Sequence, residues 1–191
     1  EDALTVNASA EPALAVLAEI AIEDDRWDKA NAYLDKILKI NRESVNAQTL
    51  LAAIAYLGED VEIYTARQQA LAQFSPGNGR FYARIAEICG RKYRFDDAIE
   101  MARWALTTDP QDGNAATILG MNLLRRCREE EGRRQLERAF DSDPFNLWSM
   151  NMLRVLDGLA DFETRRTEHF IVRMHPSDAG TLWPYLEPLL E

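Results

Sequence analysis

Pro76, Pro110 and Pro144 stand 34 residues apart, and the rest of the chain follows the same step. A shift of 34 carries Ala105 onto Leu71 and Ala139, Leu119 onto Ile85, Leu51 and Leu17, and Gly120 onto Ala86, Ala52 and Ala18. Apolar and small positions thus recur in register. Such a period marks a stacked architecture, in which each unit is one supersecondary element that buries its apolar face only against its neighbours. Four units follow one another without insertion: residues 11–44, 45–78, 79–112 and 113–146.

Each unit reads as two helices. The first half carries apolar residues at helical spacing, as in Leu14, Leu17, Ala18 and Ala21, or Tyr82, Ile85, Ala86 and Cys89. A short polar turn follows, at 23–25, 91–94 and 126–128, and then a second amphipathic run such as Ala30, Leu34, Ile37 and Leu38, or Ala98, Ala102 and Ala105. Ala18, Ala52, Ala86 and Gly120 on the first helix, and Ala30, Ala98 and Gly132 on the second, let the pair approach closely. The proline after the second helix lacks an amide donor and clashes with the preceding turn, so it ends that helix. The carboxylates of Asp24 and Asp25, Asp96 and Asp97, and Glu129 to Glu131 fall at the turn or in the first turn of a second helix, where negative charge favours the dipole.

The pattern of an apolar residue, a Leu-Gly or Leu-Ala pair, a later Ala and a final Pro resembles the tetratricopeptide repeat family over residues 11–146. It is clearest in the third unit, with Tyr82, Ile85-Ala86, Phe95 to Ala98, Ala105-Leu106 and Asp109-Pro110. The resemblance implies an all-α fold, a right-handed superhelical solenoid of antiparallel helical hairpins whose first helices line a concave groove. Two departures stand out: Tyr64 and Gln68 occupy places where a small residue and an aromatic or Leu belong, and Arg42 replaces the terminal proline of the first unit. Residues 1–10 read as the tail of a preceding second helix, as though the chain began inside a longer array.

The period fades after a partial fifth unit at 147–161. Residues 162–175 alternate His169, Ile171, Arg173 and His175 against Phe170, Val172 and Met174, which reads as one strand in need of a partner. Residues 177–191 read as a helix, or two short ones interrupted by Pro184 and Pro188, with Ser177 as the cap. A strand followed by a helix, 162–191, looks like the start of another domain. Phe162-Glu163-Thr164 and Thr167 to Arg173 resemble the boundary at which bacterial tetratricopeptide arrays precede a peptidase MA-like gluzincin metallohydrolase domain. Such a domain requires a His-Glu-x-x-His helix to hold zinc, and these 191 residues contain none.

Composition narrows the function. A formal charge of −10 argues against nucleic acid as a partner, because phosphate neutralisation needs a surplus of Lys and Arg. No apolar run reaches the roughly 20 residues of a membrane span. Cys89 and Cys127 lack metal spacing, and His169 and His175 are too far apart along a strand for one ion, so no metal, cofactor or catalytic residue is expected.

Function is then expected from the groove. The phases that the resemblance assigns to it hold Asn46, Tyr56, Arg80, Arg91, Asn114, Thr117, Arg125 and Asn151, together with Glu19, Glu23 and Glu87. Residues 1–78 carry six basic and thirteen acidic side chains, against twelve and ten in 79–140, so the middle is the basic part. Arg80, Arg91 and Arg125 would meet an acidic segment or a terminal carboxylate, since guanidinium binds carboxylate in a bidentate manner; ordinary solvated arginines account for the same pattern. The clamp with which some members of the family hold a chaperone terminus is not matched, because Ala15, Glu19, Thr49 and Ala53 occupy its other phases. The expected role is a protein-interaction module binding a protein or peptide, with the accessory arm of a zinc metallohydrolase and a structural spacer as alternatives.

Overall fold

The fold was obtained as a computed structural model, which describes residues 10–191. The expected helix tail at 1–10 lies outside the described residues except for Ala10, which caps the first helix. Five helices begin at a constant interval: α1 (Glu11–Glu23), α3 (Val45–Leu57), α5 (Gly79–Arg91), α7 (Gly113–Arg125) and α9 (Leu147–Leu159). Between them, at the same interval, lie α2 (Trp27–Ile40), α4 (Val61–Phe74), α6 (Phe95–Thr108) and α8 (Glu129–Ser142). Each first helix packs on the second helix of its unit, and α1, α3, α5 and α7 also touch in succession, forming the inner layer of an all-α solenoid of antiparallel hairpins.

Local chemistry fixes where these helices start and stop. Ser44, Asp112 and Asn146 cap α3, α7 and α9, each side chain accepting from a backbone amide of the first turn. The turn inside each hairpin closes with one bond five residues back: Arg26 N–H to Ala21 O at 2.8 Å, Asp60 to Ala55 at 2.9 Å, Arg94 to Cys89 at 2.9 Å and Arg128 to Leu123 at 2.9 Å. This closure needs a left-handed residue just before the donor. Asp25, Glu59, Tyr93 and Cys127 fill that place with φ of 57°, 60°, 60° and 56°. None is glycine, so each turn holds a conformation that costs an ordinary residue roughly 1 kcal/mol or more.

The core runs through the stack. Leu14, Ala18, Ala30, Leu34, Ile37, Leu50, Ala52, Ile85, Ala86, Ala98, Ala102 and Ala105 are fully buried. Fully burying a side chain such as Leu34 contributes about 1.5–3 kcal/mol. The crossing in the fourth unit is close: a Cβ on Gly120 would lie 2.7 Å from Leu136 Cγ, and one on Gly132 2.8 Å from Leu124 Cδ2. Cys89 belongs to this core, and burial pushes its thiol up to about 12.

The C-terminal segment departs from expectation in its strand and in the cap of its helix, while the single helix is one of the two forms expected. The stretch read as one strand is a hairpin, with β1 (Glu163–Arg166) and β2 (Ile171–Met174) antiparallel and Arg166 opposite Ile171. Its partner strand is internal because the chain reverses at Thr167 to Phe170, where Phe170 N–H donates to Thr167 Oγ1 at 3.1 Å and Thr167 N–H to Phe170 O at 3.0 Å. The last stretch is one helix, α10 (Pro176–Leu190), continuous through Pro184 and Pro188 and capped by His175, whose Nδ1 accepts from Ser177 N–H at 3.3 Å.

Candidate functional site

The first helices bring Asn46, Arg80 and Asn114 to one place. These residues share a repeat phase, the second position of α3, α5 and α7, so successive units stack them along the inner layer. They line a groove of 880 Å³ together with Thr49, Arg84 and Glu87 and the loops before α5 and α7. Among the described residues, neither the Asn46 and Asn114 amides nor the Arg80 guanidinium has a side-chain hydrogen bond or ion pair. An unpartnered carboxamide offers two donors and an acceptor, the complement of a peptide backbone, and an unpartnered guanidinium offers a fork for a carboxylate.

The remaining arginines of this face are already engaged. Arg84 pairs with Glu19 and Glu87, and its guanidinium is held charged despite partial burial by hydrogen bonds to both carboxylates. Arg91 lies 3.0 Å from Glu23, 3.7 Å from Glu87 and 3.8 Å from Glu19. Glu19 and Glu23 come from α1, so this network ties the first unit to the third. Arg125 donates to Asn122 Oδ1 at 2.9 Å and lies 5.4 Å from the Phe95 ring centroid. Arg91 and Arg125 line a separate hollow of 330 Å³ with Tyr93 and Phe95. The expected cluster of Arg80, Arg91 and Arg125 is therefore divided between two concavities, and only Arg80 keeps its guanidinium unpaired among the described residues.

Three further expected residues sit elsewhere. Thr117 is 7% exposed, and its hydroxyl donates to Gly113 O at 2.9 Å, meets Ser149 Oγ at 2.9 Å and accepts from Asn146 Nδ2 at 3.2 Å. It joins α7 to α9 and has nothing left for a ligand. Tyr56 lines a different cavity, its hydroxyl donating to Asp97 Oδ1 at 3.1 Å. Asn151 is exposed on α9, outside the groove lining. Trp148, at the phase of Asn46, Arg80 and Asn114, is 72% exposed and continues their row onto α9.

The histidines do not share a ligand set. His175 caps α10, whereas His169 lies in the hairpin turn with Nδ1 2.7 Å from Glu191 Oε2. Glu168, His169 and Glu191 come together, all three exposed.

No family model matches the sequence, and no curated protein matches it. Among solved structures the chain is similar to that of YrrB, described as a TPR protein with an unusual peptide-binding site, at TM-score 0.47 and 15% identity over 80% of this chain and 78% of that one. It is similar to the Arabidopsis OM64 TPR domain at TM-score 0.48 and 16% identity over 61% of this chain and 96% of that one. It is also similar to a structure from the functional characterization of Pseudomonas aeruginosa pilF, at TM-score 0.47 and 16% identity over 79% and 71%. The succession of nine helices among the described residues, with its constant 34-residue step, carries the tetratricopeptide-like fold.

Proposed function

We propose that this chain is a non-catalytic protein-interaction module that holds an extended peptide segment along its first helices. The supporting observation is the row of Asn46, Arg80 and Asn114, one per unit, lining a single groove and without side-chain partners among the described residues. Asn46 and Asn114 would each bind one peptide unit of the ligand backbone, and Arg80 between them would take one carboxylate, from an acidic side chain or a chain terminus. A single acidic group fits better than an acidic tract. Arg80 and Arg84 share the groove with Glu87, Asp109 and Asp112, so its formal charge is slightly negative. Asp109 and Asp112 each accept a backbone amide, from Gln111 at 3.1 Å and Ala115 at 3.0 Å. Binding by backbone hydrogen bonds and one ion pair has a weak salt dependence.

A peptide-array screen followed by titration of the best ligand tests this. Asn46→Ala and Asn114→Ala should each weaken binding about tenfold, and Arg80→Glu by more, since loss of one hydrogen bond to a charged or backbone group is worth about 1–3 kcal/mol. Unchanged affinity in all three variants would exclude the groove.

A second reading, the arm of a larger zinc metallohydrolase, is favoured by one observation. The hairpin and α10 leave Phe170, Ile171, Leu182, Tyr185 and Leu189 exposed, a set of apolar side chains that suits a covering partner. Sequencing the surrounding gene decides it: a parent chain with no His-Glu-x-x-His motif rules this reading out.

A further inference from the structure

The second unit breaks the repeat rule, and a cavity results. At the phase of Tyr64 the other units carry Ala30, Ala98 and Gly132, and at the phase of Gln68 they carry Leu34, Ala102 and Leu136. Ala30, Ala98, Leu34, Ala102 and Leu136 are fully buried against their first helices. A phenol and a carboxamide cannot enter that seam, and Leu71 is left as the sole buried residue of α4. Between α4 and α6 opens a cavity of 540 Å³ whose walls include Tyr56, Tyr64, Tyr82, Met101 and Trp104.

The aromatic rings form a near-continuous wall. Tyr56 and Tyr64 have centroids 5.4 Å apart, and Tyr82 stacks on Trp104 at 6.4 Å and 29°. Tyr56 donates its hydroxyl to Asp97 and Tyr64 sets its own against Met101 Sδ at 3.9 Å, while Tyr82 accepts from Gln68 Nε2 at 2.7 Å. What these rings offer a ligand is chiefly π surface. Arg94, 5.7 Å from the Tyr56 centroid, shows that this wall accepts a guanidinium, and Arg94 is itself neutralised by Asp97 at 2.6 Å. Three more carboxylates, Glu59, Asp60 and Glu100, line the cavity and form no ion pair among the described residues. Glu100 lies close enough for its charge to act on both Tyr56 and Tyr64.

Aromatic faces attract cations, Trp most strongly, and an uncompensated carboxylate beside them adds to the attraction. An apolar guest would gain the same contact but would desolvate the carboxylates without return. We propose that this cavity is a binding site for the Arg or Lys side chain of a basic peptide, seated against Tyr64, Tyr82 and Trp104 with Glu100 as its counter-ion. The site is lined by α4 and α6 with Tyr56 of α3 and Tyr82 of α5, shares no lining residue with the groove around Asn46, Arg80 and Asn114, and stands independently of the function proposed for that groove.

The test is a titration of the ¹⁵N-labelled chain with acetyl-Gly-Arg-Gly-amide, read at the Trp104 indole N–H resonance. The uncharged aliphatic probe is acetyl-Gly-norleucine-Gly-amide. Trp104 is 51% exposed and Glu100 is exposed, so Trp104→Ala and Glu100→Gln leave the core untouched, which far-ultraviolet circular dichroism verifies. A saturable shift with the Arg peptide is expected, with binding about fivefold weaker for the norleucine probe and for each variant. For Trp104→Ala, the Tyr82 amide replaces the indole as reporter. Equal binding of the norleucine probe, variants that bind as well as the parent, or no saturable shift at the peptide's solubility limit each overturn the proposal. An indole shift that follows protein concentration alone assigns the cavity to a second copy and overturns it equally.

Discussion

Replacing a helical glycine by alanine normally stabilises a protein, and in this chain the sign is predicted to depend on the unit. Gly158, in α9, has no heavy atom within 4 Å of the position a Cβ would take. Gly158→Ala therefore gains the helix propensity difference, close to 1 kcal/mol at most. Gly120, in α7, gains the same propensity but meets Leu136 Cγ at 2.7 Å, Leu136 Cδ2 at 3.0 Å and the backbone oxygen of Gly132 at 3.0 Å. Leu136 is fully buried and cannot swing away, and the carbonyl belongs to the facing helix, so the hairpin must part. Overpacking of this kind costs about 1–3 kcal/mol. With three close atoms the upper end applies, and subtraction of the propensity gain leaves Gly120→Ala destabilised by about 2 kcal/mol. For a chain of this size that lowers the melting temperature by roughly 4–8 °C, while Gly158→Ala raises it by a few degrees. Thermal and urea unfolding of the two variants beside the parent measures both. If Gly120→Ala is as stable as Gly158→Ala, close helix approach at the small-residue phase is not what sets the hairpin geometry.

Three other outcomes are expected. In urea unfolding Cys127→Gly should stabilise the fold and Cys127→Val should destabilise it by about 1 kcal/mol, because φ of 56° at this exposed position suits glycine and not a β-branched residue; reversed signs would refute the turn geometry. Tyr64 is pushed up to about 12, by burial first and then by Tyr82 and Glu100, from an ordinary 10.0. A raised acid stabilises the fold fully below the unfolded value and loses that contribution as pH climbs from about 10 through 12, so the parent should lose stability in that window more steeply than Tyr64→Phe, with parallel curves counting against it. Glu19→Gln should cost about 1–2 kcal/mol at low salt, since it removes the α1 carboxylate that Arg84 and Arg91 share, and distinctly less in 1 M salt; an unchanged midpoint would mean that the Glu19 link from α1 to α5 contributes nothing.

What was legible in the sequence was whatever recurs. The phase shared by Ala18, Ala52, Ala86 and Gly120 locates the helix contacts, because small residues at one phase have a steric reason. The family resemblance assigned Asn46, Arg80 and Asn114 to groove phases. It could not show that Arg91 is drawn to Glu19 and Glu23, which depends on the distance between α1 and α5 across an intervening unit. Nor could it show that Thr117 is consumed by Ser149 and Asn146. The left-handed turn residues gave no signal, since Asp25, Glu59, Tyr93 and Cys127 share a conformation and no chemistry. The β-hairpin reads as one strand because its reversal at Thr167 to Phe170 contains no glycine, asparagine or proline to mark a turn. The aromatic cavity did leave a trace: Tyr64 and Gln68 broke the pattern, and a bulky residue at a small-residue phase implies a gap beside it.

The groove along the first helices is tested most directly by amide hydrogen exchange on a complex with a peptide ligand selected from an array. Protection confined to the N-terminal turns of α3, α5 and α7 and the loops before α5 and α7, around Asn46, Arg80 and Asn114, is the predicted result. Protection confined to α4, α6 and α8, with those turns exchanging as in the free chain, would contradict it.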